Sequence, residues 1–245
     1  MIRMANGKAA TCRLSHRWDV TPAEARQIQE QVRSRVSRKN GPELRSLKYV
    51  AGVDCALRNN QAIAAVPVLD FATLELVDLA IVEKPLVFPY VPGLLTFREC
   101  PAILAAMEQL KVKPDLVMVD GQGIAHPRRI GIAAHLGVLI DKPTIGCAKS
   151  RLIGTHDEPY HRSGYYTDLW DKDQLIGGVL RTRENCNPLY ISIGHKIDVQ
   201  TALDLVLECC RGYRLPEPTR MAHQVAGRVE SAPPATGGRQ ADQRC

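Results

Sequence analysis

The stretch Leu116-Val117-Met118-Val119-Asp120-Gly121-Gln122-Gly123 decides the fold, because an apolar run leads directly into an aspartate and a glycine-rich turn. A second stretch, Tyr49-Val50-Ala51-Gly52-Val53-Asp54, has the same form. Short apolar runs bounded by turn residues are typical of buried β-strands. Each strand is therefore expected to deliver a carboxylate, Asp54 or Asp120, to the edge of a sheet. Two carboxylates on neighbouring strand ends form a hard-oxygen site suited to Mg²⁺.

A capping box marks the first predicted helix. Thr21 and Glu24 have the spacing that lets each side chain bond the other's backbone, and Pro22 occupies the first helical position. Apolar residues recur at helical spacing from there to Val36, which predicts one buried face. The sequence Asn40-Gly41-Pro42 is expected to end this helix.

Strands and helices follow in an order that predicts the fold class. Three β-rich stretches, residues 48–57, 62–69 and 75–87, are separated by short turns and predict an antiparallel meander. A helix over 98–110, a strand over 113–120, a helix over 131–140 and a strand over 144–148 come next, then short strands over 177–181 and 189–193 and a helix over 199–211. The sequence predicts an α/β, ribonuclease-H-like fold: a mixed central sheet, with three antiparallel strands and then parallel strands, flanked by helices.

Composition indicates an ordinary soluble globular protein, with 45% hydrophobic and 24% charged residues. No apolar run approaches the ~20 residues that span a bilayer, and residues 1–10 lack a hydrophobic signal core. The eight cysteines are scattered without a C-x-x-C pair, which favours reduced thiols over a zinc site. We expect a cytoplasmic protein without membrane association. Residues 1–228 are predicted to form a single domain, and residues 229–245, rich in proline, glycine and polar residues, a disordered tail.

Positive charge is concentrated at the N-terminal end. Residues 1–48 contain 11 Lys/Arg and 4 Asp/Glu, a net charge of +7, whereas the remaining residues carry 21 and 22, a net charge of −1. Such an asymmetry fits a polyanionic partner. A solvated basic helix face produces the same pattern, so charge alone leaves both readings open.

Other polar residues are predicted to join the two aspartates. Glu99 is a third carboxylate, although the helix dipole alone favours an acidic residue in a first turn. Lys149 follows the strand over 144–148 and would reach the same edge, where a lysine can hold a phosphate, unless it is an ordinary surface lysine. His126 and His135 are phosphate-contact candidates, of which one is expected to be a hydrogen-bonded core histidine. A metal-dependent nuclease is the function that these residues favour.

Tyr90-Val91-Pro92 places an aromatic and apolar point on a proline-rich loop. Such a tip can wedge into a base stack. The alternative is a rigid turn packed on its own domain.

Together these blocks resemble the endonuclease V family of DNA repair nucleases. The resemblance covers roughly residues 15–225 and rests on five motifs: Val50-Ala51-Gly52-Val53-Asp54, residues 89–99 (PYVPGLLTFRE), residues 115–129 (DLVMVDGQGIAHPRR), residues 143–152 (PTIGCAKSRL) and residues 215–223 (LPEPTRMAH). It implies Mg²⁺-dependent cleavage, with Mn²⁺ as a substitute, at the second phosphodiester bond 3′ to a deaminated base, chiefly deoxyinosine. The products would carry 3′-hydroxyl and 5′-phosphate ends.

The resemblance also implies roles for individual residues. Asp54 and Asp120 would be metal ligands, and Glu99, Lys149 and His223 would complete the catalytic set. Tyr90, Val91 and Pro92 would form the wedge, the backbones of Gly93, Leu95, Gly121 and Gly123 would line the base pocket, and His126 would contact phosphate.

Gln122 departs from the histidine found in many relatives, which puts a proton-transfer role there in doubt. The expected partner is DNA containing deaminated bases, bound by a monomer. An inosine-specific endoribonuclease and a non-catalytic lesion-binding protein are the alternatives.

Overall fold

The computed structural model describes residues 3–4 and 14–231. Its strands are β1 (Arg3–Met4), β2 (Leu14–Ser15), β3 (Tyr49–Arg58), β4 (Gln61–Asp70), β5 (Leu76–Pro85), β6 (Leu116–Val119), β7 (Thr144–Ala148), β8 (Tyr166–Asp171), β9 (Gln174–Leu180) and β10 (Leu189–His195). Its α-helices are α1 (Pro22–Arg33), α2 (Thr96–Gln109), α3 (Ile132–Ile140), α4 (Val199–Glu208) and α5 (Glu217–Ser231), and Pro42–Ser46 forms a 3₁₀ helix. Within the described residues, no helix is both long and apolar enough to cross a membrane.

One mixed sheet of eight strands organises the molecule, in the order β5-β4-β3-β6-β7-β10-β9-β8. The predicted meander is confirmed, because β3, β4 and β5 pair antiparallel. Strands β3, β6 and β7 pair in parallel. An antiparallel unit of β10, β9 and β8, whose pairing the sequence did not predict, extends the far side of the sheet. The mixed α/β fold with one central sheet flanked by helices is the predicted one.

Helices cover both faces of this sheet. Ala51 and Val53 cluster with side chains of α2 and α3, whereas the intervening Gly52 contacts α5. Because successive strand residues point to opposite faces, α2 and α3 lie on one face and α5 on the other. Gly178 of β9 contacts Leu203 of α4. The register across the sheet places Gly178 on the same face as Gly52, so α4 lies on the same face as α5.

Several predicted boundaries are wrong for identifiable reasons. The capping box between Thr21 and Glu24 is present, but α1 ends at Arg33 instead of continuing to residue 40. Beyond it, the Ser37 backbone bonds the His195 side chain and the Lys196 backbone, so tertiary hydrogen bonds replace helical ones. Helix α2 begins two residues earlier than predicted, which places Pro101 inside the helix.

Strand β8 and helix α5 were not predicted from the sequence patterns, nor were the two-residue strands β1 and β2 and the 3₁₀ helix. Helix α5 extends to Ser231, past the predicted start of the tail at residue 229. Residues 232–245 lie outside the described residues, so a disordered tail there stays a prediction. The six cysteines in the described part of the chain are free thiols, as expected.

Candidate active site

Parallel pairing of β3 with β6 brings the two predicted aspartates together. Val53 lies opposite Val119, and the Asp120 backbone N–H donates to the Val53 carbonyl oxygen over 2.9 Å. Asp54 and Asp120 therefore project from neighbouring strands at one edge of the sheet. Burial and the charge of Asp54 raise the pKa of Asp120, while a hydrogen bond from Lys149 opposes that shift.

Helix α5 adds an imidazole to this pair. His223 Nδ1 lies 2.7 Å from Asp54 Oδ2. One ligand atom each from Asp54, Asp120 and His223 fall within 4.8 Å of one another. Two carboxylates and an imidazole at this spacing match the donors that bind divalent cations. A cation there would also offset the repulsion between the carboxylates, so the residues present fit a metal site.

Close contact between α5 and β3 determines where His223 lies. A Cβ atom added to Gly52 would lie 1.8 Å from the Pro218 carbonyl oxygen, so only glycine admits the helix backbone at this distance. Asp54 follows two residues after Gly52, and His223 follows about one helical turn after Pro218. The close approach therefore carries His223 to Asp54.

Glu99 lies in the first turn of α2, on the other side of the aspartates. Its side chain is buried, and burial together with the charges of Asp54 and Asp120 raises the pKa of Glu99 to about 8. A carboxyl group in this environment is protonated near neutral pH unless a cation compensates its charge. The structure thus brings together the three carboxylates that the sequence singled out.

Lys149 follows β7 and points back across the same edge. Its Nζ donates to Asp120 Oδ2 over 2.5 Å. The guanidinium of Arg214 donates to the carbonyl oxygens of Lys149 (2.7 Å), Pro188 (3.0 Å) and Asn187 (2.8 Å). The sequence did not predict a role for Arg214, because its contact with Lys149 joins residues 65 positions apart and no local pattern indicates such a contact.

A large cavity of about 430 Å³ opens beside Asp120 and Lys149. Its lining includes seven of the predicted substrate-binding residues, namely Tyr90, Val91, Pro92, Gly93, Leu95, Gly121 and His126. Residues that were not predicted also contribute, among them Thr96, Gln122, Ile132 and residues 150–152.

Gly123, the eighth predicted substrate-binding residue, is not among these lining residues, and its part in base binding stays a prediction. A Cβ there would lie 2.0 Å from the Ile193 carbonyl oxygen, and the Gly123 N–H donates to Ser192 Oγ. Gly123 therefore lets the loop after β6 pack closely on β10. Gln122 donates from Nε2 to the Ser150 carbonyl oxygen over 2.9 Å and thereby joins two loops of the large cavity.

His126 is a neutral hydrogen-bonding group in the cavity wall. Burial, with the charge of Arg128, lowers the pKa of His126 to about 4. Its Nδ1 accepts from the Arg128 backbone N–H, so Nε2 carries the proton. His135 is the core histidine expected of the pair: it is fully buried and its Nε2 bonds His16 Nε2 at 2.8 Å.

The loop that carries Tyr90, residues 88–93, projects from the rim of the large cavity, and we name it the Tyr90 loop. Tyr90 is 73% exposed, and the Arg98 guanidinium lies 5.9 Å from the centre of its ring. Arg98 also donates to the Phe88 carbonyl oxygen, and Arg128 donates to the Gly93 carbonyl oxygen over 2.7 Å. These arginines hold both ends of the loop, and local sequence patterns indicated neither contact.

A small cavity of about 220 Å³ lies on the α5 side, lined by Asp54, Lys149, His223 and neighbouring residues. Lys149 lines both cavities, so it separates the large cavity from the small one. An extended ligand that entered the large cavity beside Asp120 and passed Lys149 would reach Asp54 and His223.

Comparison with known proteins identifies the family. The family described as Endonuclease V matches residues 30–224. This chain belongs to the endonuclease V family. The endonuclease V of Rippkaea orientalis is 52% identical over 205 residues, which cover 83% of this chain and 89% of that protein.

Solved endonuclease V structures share the fold. The Streptomyces avermitilis protein is 40% identical with a TM-score of 0.81, covering 87% of this chain and 94% of its own. The Ciona intestinalis endonuclease V, 27% identical with a TM-score of 0.75, covers 86% of this chain and 98% of its own, and was solved with a 23mer DNA containing an inosine followed by a ribo-adenosine. A nuclease that processes deaminated bases is therefore the activity that the family supports.

Proposed function

We propose that this endonuclease V is a DNA repair endonuclease that recognises deaminated bases, chiefly deoxyinosine. It hydrolyses the second phosphodiester bond 3′ to the lesion and leaves 3′-hydroxyl and 5′-phosphate ends. The observation that carries this proposal is the meeting of Asp54, Asp120 and His223 within 4.8 Å at the border of a cavity that the Tyr90 loop overhangs.

The large cavity has a part in lesion recognition. The large cavity receives the base that leaves the helix, and Tyr90, Val91 and Pro92 fill the gap in the stack. The backbones of Gly93, Leu95 and Gly121 border the base. The pocket therefore selects the deaminated base by its shape and by backbone hydrogen bonds. Wobble-paired or mismatched lesions flip at lower cost, which adds selectivity.

Chemistry takes place at the carboxylates. Asp54, Asp120 and His223 would hold Mg²⁺, for which Mn²⁺ would substitute, and when bound the cation would supply polarisation of the phosphate and activation of water. Lys149, already directed at Asp120, offsets negative charge on the phosphate in the transition state. Glu99 supplies the third carboxylate, and His126 contacts a phosphate close to the cut.

The sharpest test is nicking of a duplex labelled at its 5′ end and carrying one deoxyinosine, with Mg²⁺ or with chelator. We expect a Mg²⁺-dependent cut at the second phosphodiester bond 3′ to the lesion, and no cut in the matched undamaged duplex. The product should be a substrate for DNA ligase without prior phosphorylation, because its ends are 3′-hydroxyl and 5′-phosphate. Equal cutting in chelator would refute the metal dependence.

An inosine-specific endoribonuclease is the second candidate. The Ciona relative was solved with a DNA in which a ribo-adenosine follows the inosine. Cleavage assays on matched inosine-containing DNA and RNA strands distinguish the two candidates. A cut in RNA alone would change the proposed substrate from DNA to RNA and leave the proposed active site unchanged. Binding of the lesion without cutting either strand would leave a non-catalytic lesion-binding protein.

A further inference from the structure

The exposed tyrosines are unevenly distributed over the molecule. Five of the seven tyrosines are at least 40% exposed. One is Tyr90, beside the large cavity; the other four are Tyr160, Tyr165, Tyr166 and Tyr213. Contiguous exposed aromatic surface is uncommon on soluble proteins unless it binds something. The reaction described above gives no role to these last four rings.

Sheet register places Tyr166, with Tyr165 directly before it, at the catalytic edge. Tyr166 is the first residue of β8, which pairs with the end of β9, and that end pairs with the start of β10. Tyr190 of β10 lies opposite Ala148, the residue before Lys149. Three interstrand spacings, about 14 Å, therefore separate the start of β8 from Lys149.

Tyr160 and Tyr165 form a paired surface, which we name the tyrosine platform. Their ring centres are 5.1 Å apart, and they are 57% and 52% exposed. Among the described side chains, neither ring belongs to the hydrophobic core. The platform is therefore an outward-facing aromatic pair, with exposed Arg162 between its two members in sequence.

The segment that carries the platform is held in place from beneath. Buried Arg181 donates through its guanidinium to Glu158 (2.6 Å) and to the Pro159 carbonyl oxygen (3.2 Å). The Arg181 backbone N–H donates to the Tyr165 carbonyl oxygen over 2.8 Å. Hydrogen bonds on both sides of the tyrosines thus fix a conformation that displays them to solvent.

The same network reaches the catalytic lysine. Thr182 Oγ1 donates to the Arg214 carbonyl oxygen over 2.6 Å, and Arg214 in turn donates to the Lys149 carbonyl oxygen. Tyr213, beside Arg214, is 51% exposed and stacks 4.5 Å from the Arg220 guanidinium. Aromatic rings and arginines therefore continue from the platform toward the site.

We propose that the tyrosine platform binds the nucleic acid beyond the lesion and the cut. The rings stack on unpaired bases, while Arg162 and Arg183, the exposed residue after Thr182, face the phosphates. This inference rests on the proposed function. Aromatic faces bind any base, and arginines supply the charge complement. Because about 14 Å corresponds to about four base-pair steps of 3.4 Å, the platform engages only substrates that extend past that length.

Binding of three lesion duplexes tests this proposal, measured by fluorescence anisotropy in the Asp120→Asn background so that nothing is cut. The short duplex has four base pairs on each side of the deoxyinosine, with its strands cross-linked so that it stays paired, and the other two continue its lesion strand by ten unpaired nucleotides past the 5′ or past the 3′ end. We expect one extension to tighten binding. Tyr160→Ala with Tyr165→Ala should remove that gain, on the order of tenfold per ring, and leave the short duplex unchanged.

Two controls make the result specific. Replacing both tyrosines by phenylalanine should preserve the gain, because the ring rather than the hydroxyl stacks. Trp170→Ala removes a ring that is 41% exposed near the far end of β8, away from the catalytic edge, and should also preserve the gain. A double alanine variant that keeps the full gain on both arms, or weakens all three duplexes equally, overturns the platform. If the protein with both tyrosines in place bound none of the three lesion duplexes, that result would instead refute the proposed function.

Discussion

Lys149 donates to the Asp120 carboxylate over 2.5 Å at the border between the large and the small cavity. This contact holds an ammonium group beside a carboxylate that burial would otherwise favour in its protonated form. The two residues come from neighbouring parallel strands, so the sheet itself fixes their spacing. A phosphate that passes between the cavities must pass this pair.

Replacing Asp120 by asparagine should separate chemistry from binding. The amide keeps the shape and loses the negative charge that holds a cation, so cleavage should fall at least on the order of 10²-fold. Binding of a deoxyinosine duplex should remain measurable by anisotropy. Asp173→Asn makes the same change at an exposed turn residue and should cleave normally. Normal turnover by Asp120→Asn would contradict the metal assignment.

Glu99 should make the stability of the metal-free protein depend on pH. Its folded pKa of about 8 lies above the ordinary value of 4.5, so the folded state retains a proton that the unfolded state has lost. Its contribution to the free energy of unfolding therefore falls as pH rises through this window, by up to about 1.4 kcal/mol per pH unit. Urea titrations in chelator at pH 6, 7 and 8 should show a flatter dependence for Glu99→Gln.

Glu108→Gln, an exposed change on the same helix, is the control for that comparison and should follow the unmodified protein. Other titrating groups are common to all three proteins, so they cancel in the differences. Parallel curves for Glu99→Gln and the unmodified protein would show that Glu99 does not retain its proton.

Local sequence signals sufficed for part of the fold and site. Apolar runs that end in Asp54 and Asp120 predicted their strands, and register then made the two residues neighbours. His223 was found only through family resemblance, because α5 buries small residues, Ala222 and Ala226, and has two prolines near its start. Its position depends on contact with Gly52, far away in sequence. Tertiary contacts of this kind leave no local pattern.

Gly52→Ala should displace α5. The new methyl group would lie 1.8 Å from the Pro218 carbonyl oxygen, and overpacking of this kind costs about 1–3 kcal/mol. Thermal unfolding should shift downward, and divalent-cation affinity should fall because His223 moves from Asp54. Gly227→Ala is the matched control: nothing lies within 4 Å of its Cβ position, so helix propensity should raise stability by about 0.5–1 kcal/mol. Equal stability of both variants would contradict the close contact.

Tyr90→Ala should weaken lesion discrimination more than chemistry. The exposed ring is expected to replace the flipped base in the stack, and loss of base stacking costs on the order of tenfold in affinity. The ratio of kcat/KM for deoxyinosine and undamaged duplexes should therefore fall. Single-turnover cleavage at saturating enzyme should change little. Tyr90→Phe should retain the discrimination, and an unchanged ratio in Tyr90→Ala would remove the wedge from the mechanism.

Arg214 should act on cleavage through Lys149. Arg214→Lys keeps the charge but replaces the planar guanidinium, which donates from Nε and Nη2 at once, by a single ammonium nitrogen, so the loop after β7 loses its anchor. The single-turnover rate should fall on the order of tenfold, while the lesion Kd stays unchanged. Arg211→Lys, which alters an exposed arginine that bonds carbonyl oxygens at the end of α4, should have no such effect.

A double-mutant cycle distinguishes this positioning role from general destabilisation. If Arg214 works by orienting Lys149, then Arg214→Lys should add nothing to the loss already caused by Lys149→Met, because no ammonium group remains to be oriented. Two residues with independent effects would instead give rate losses that multiply. Multiplied losses would show that Arg214 supports the reaction by another route, even if the single variant behaved as expected.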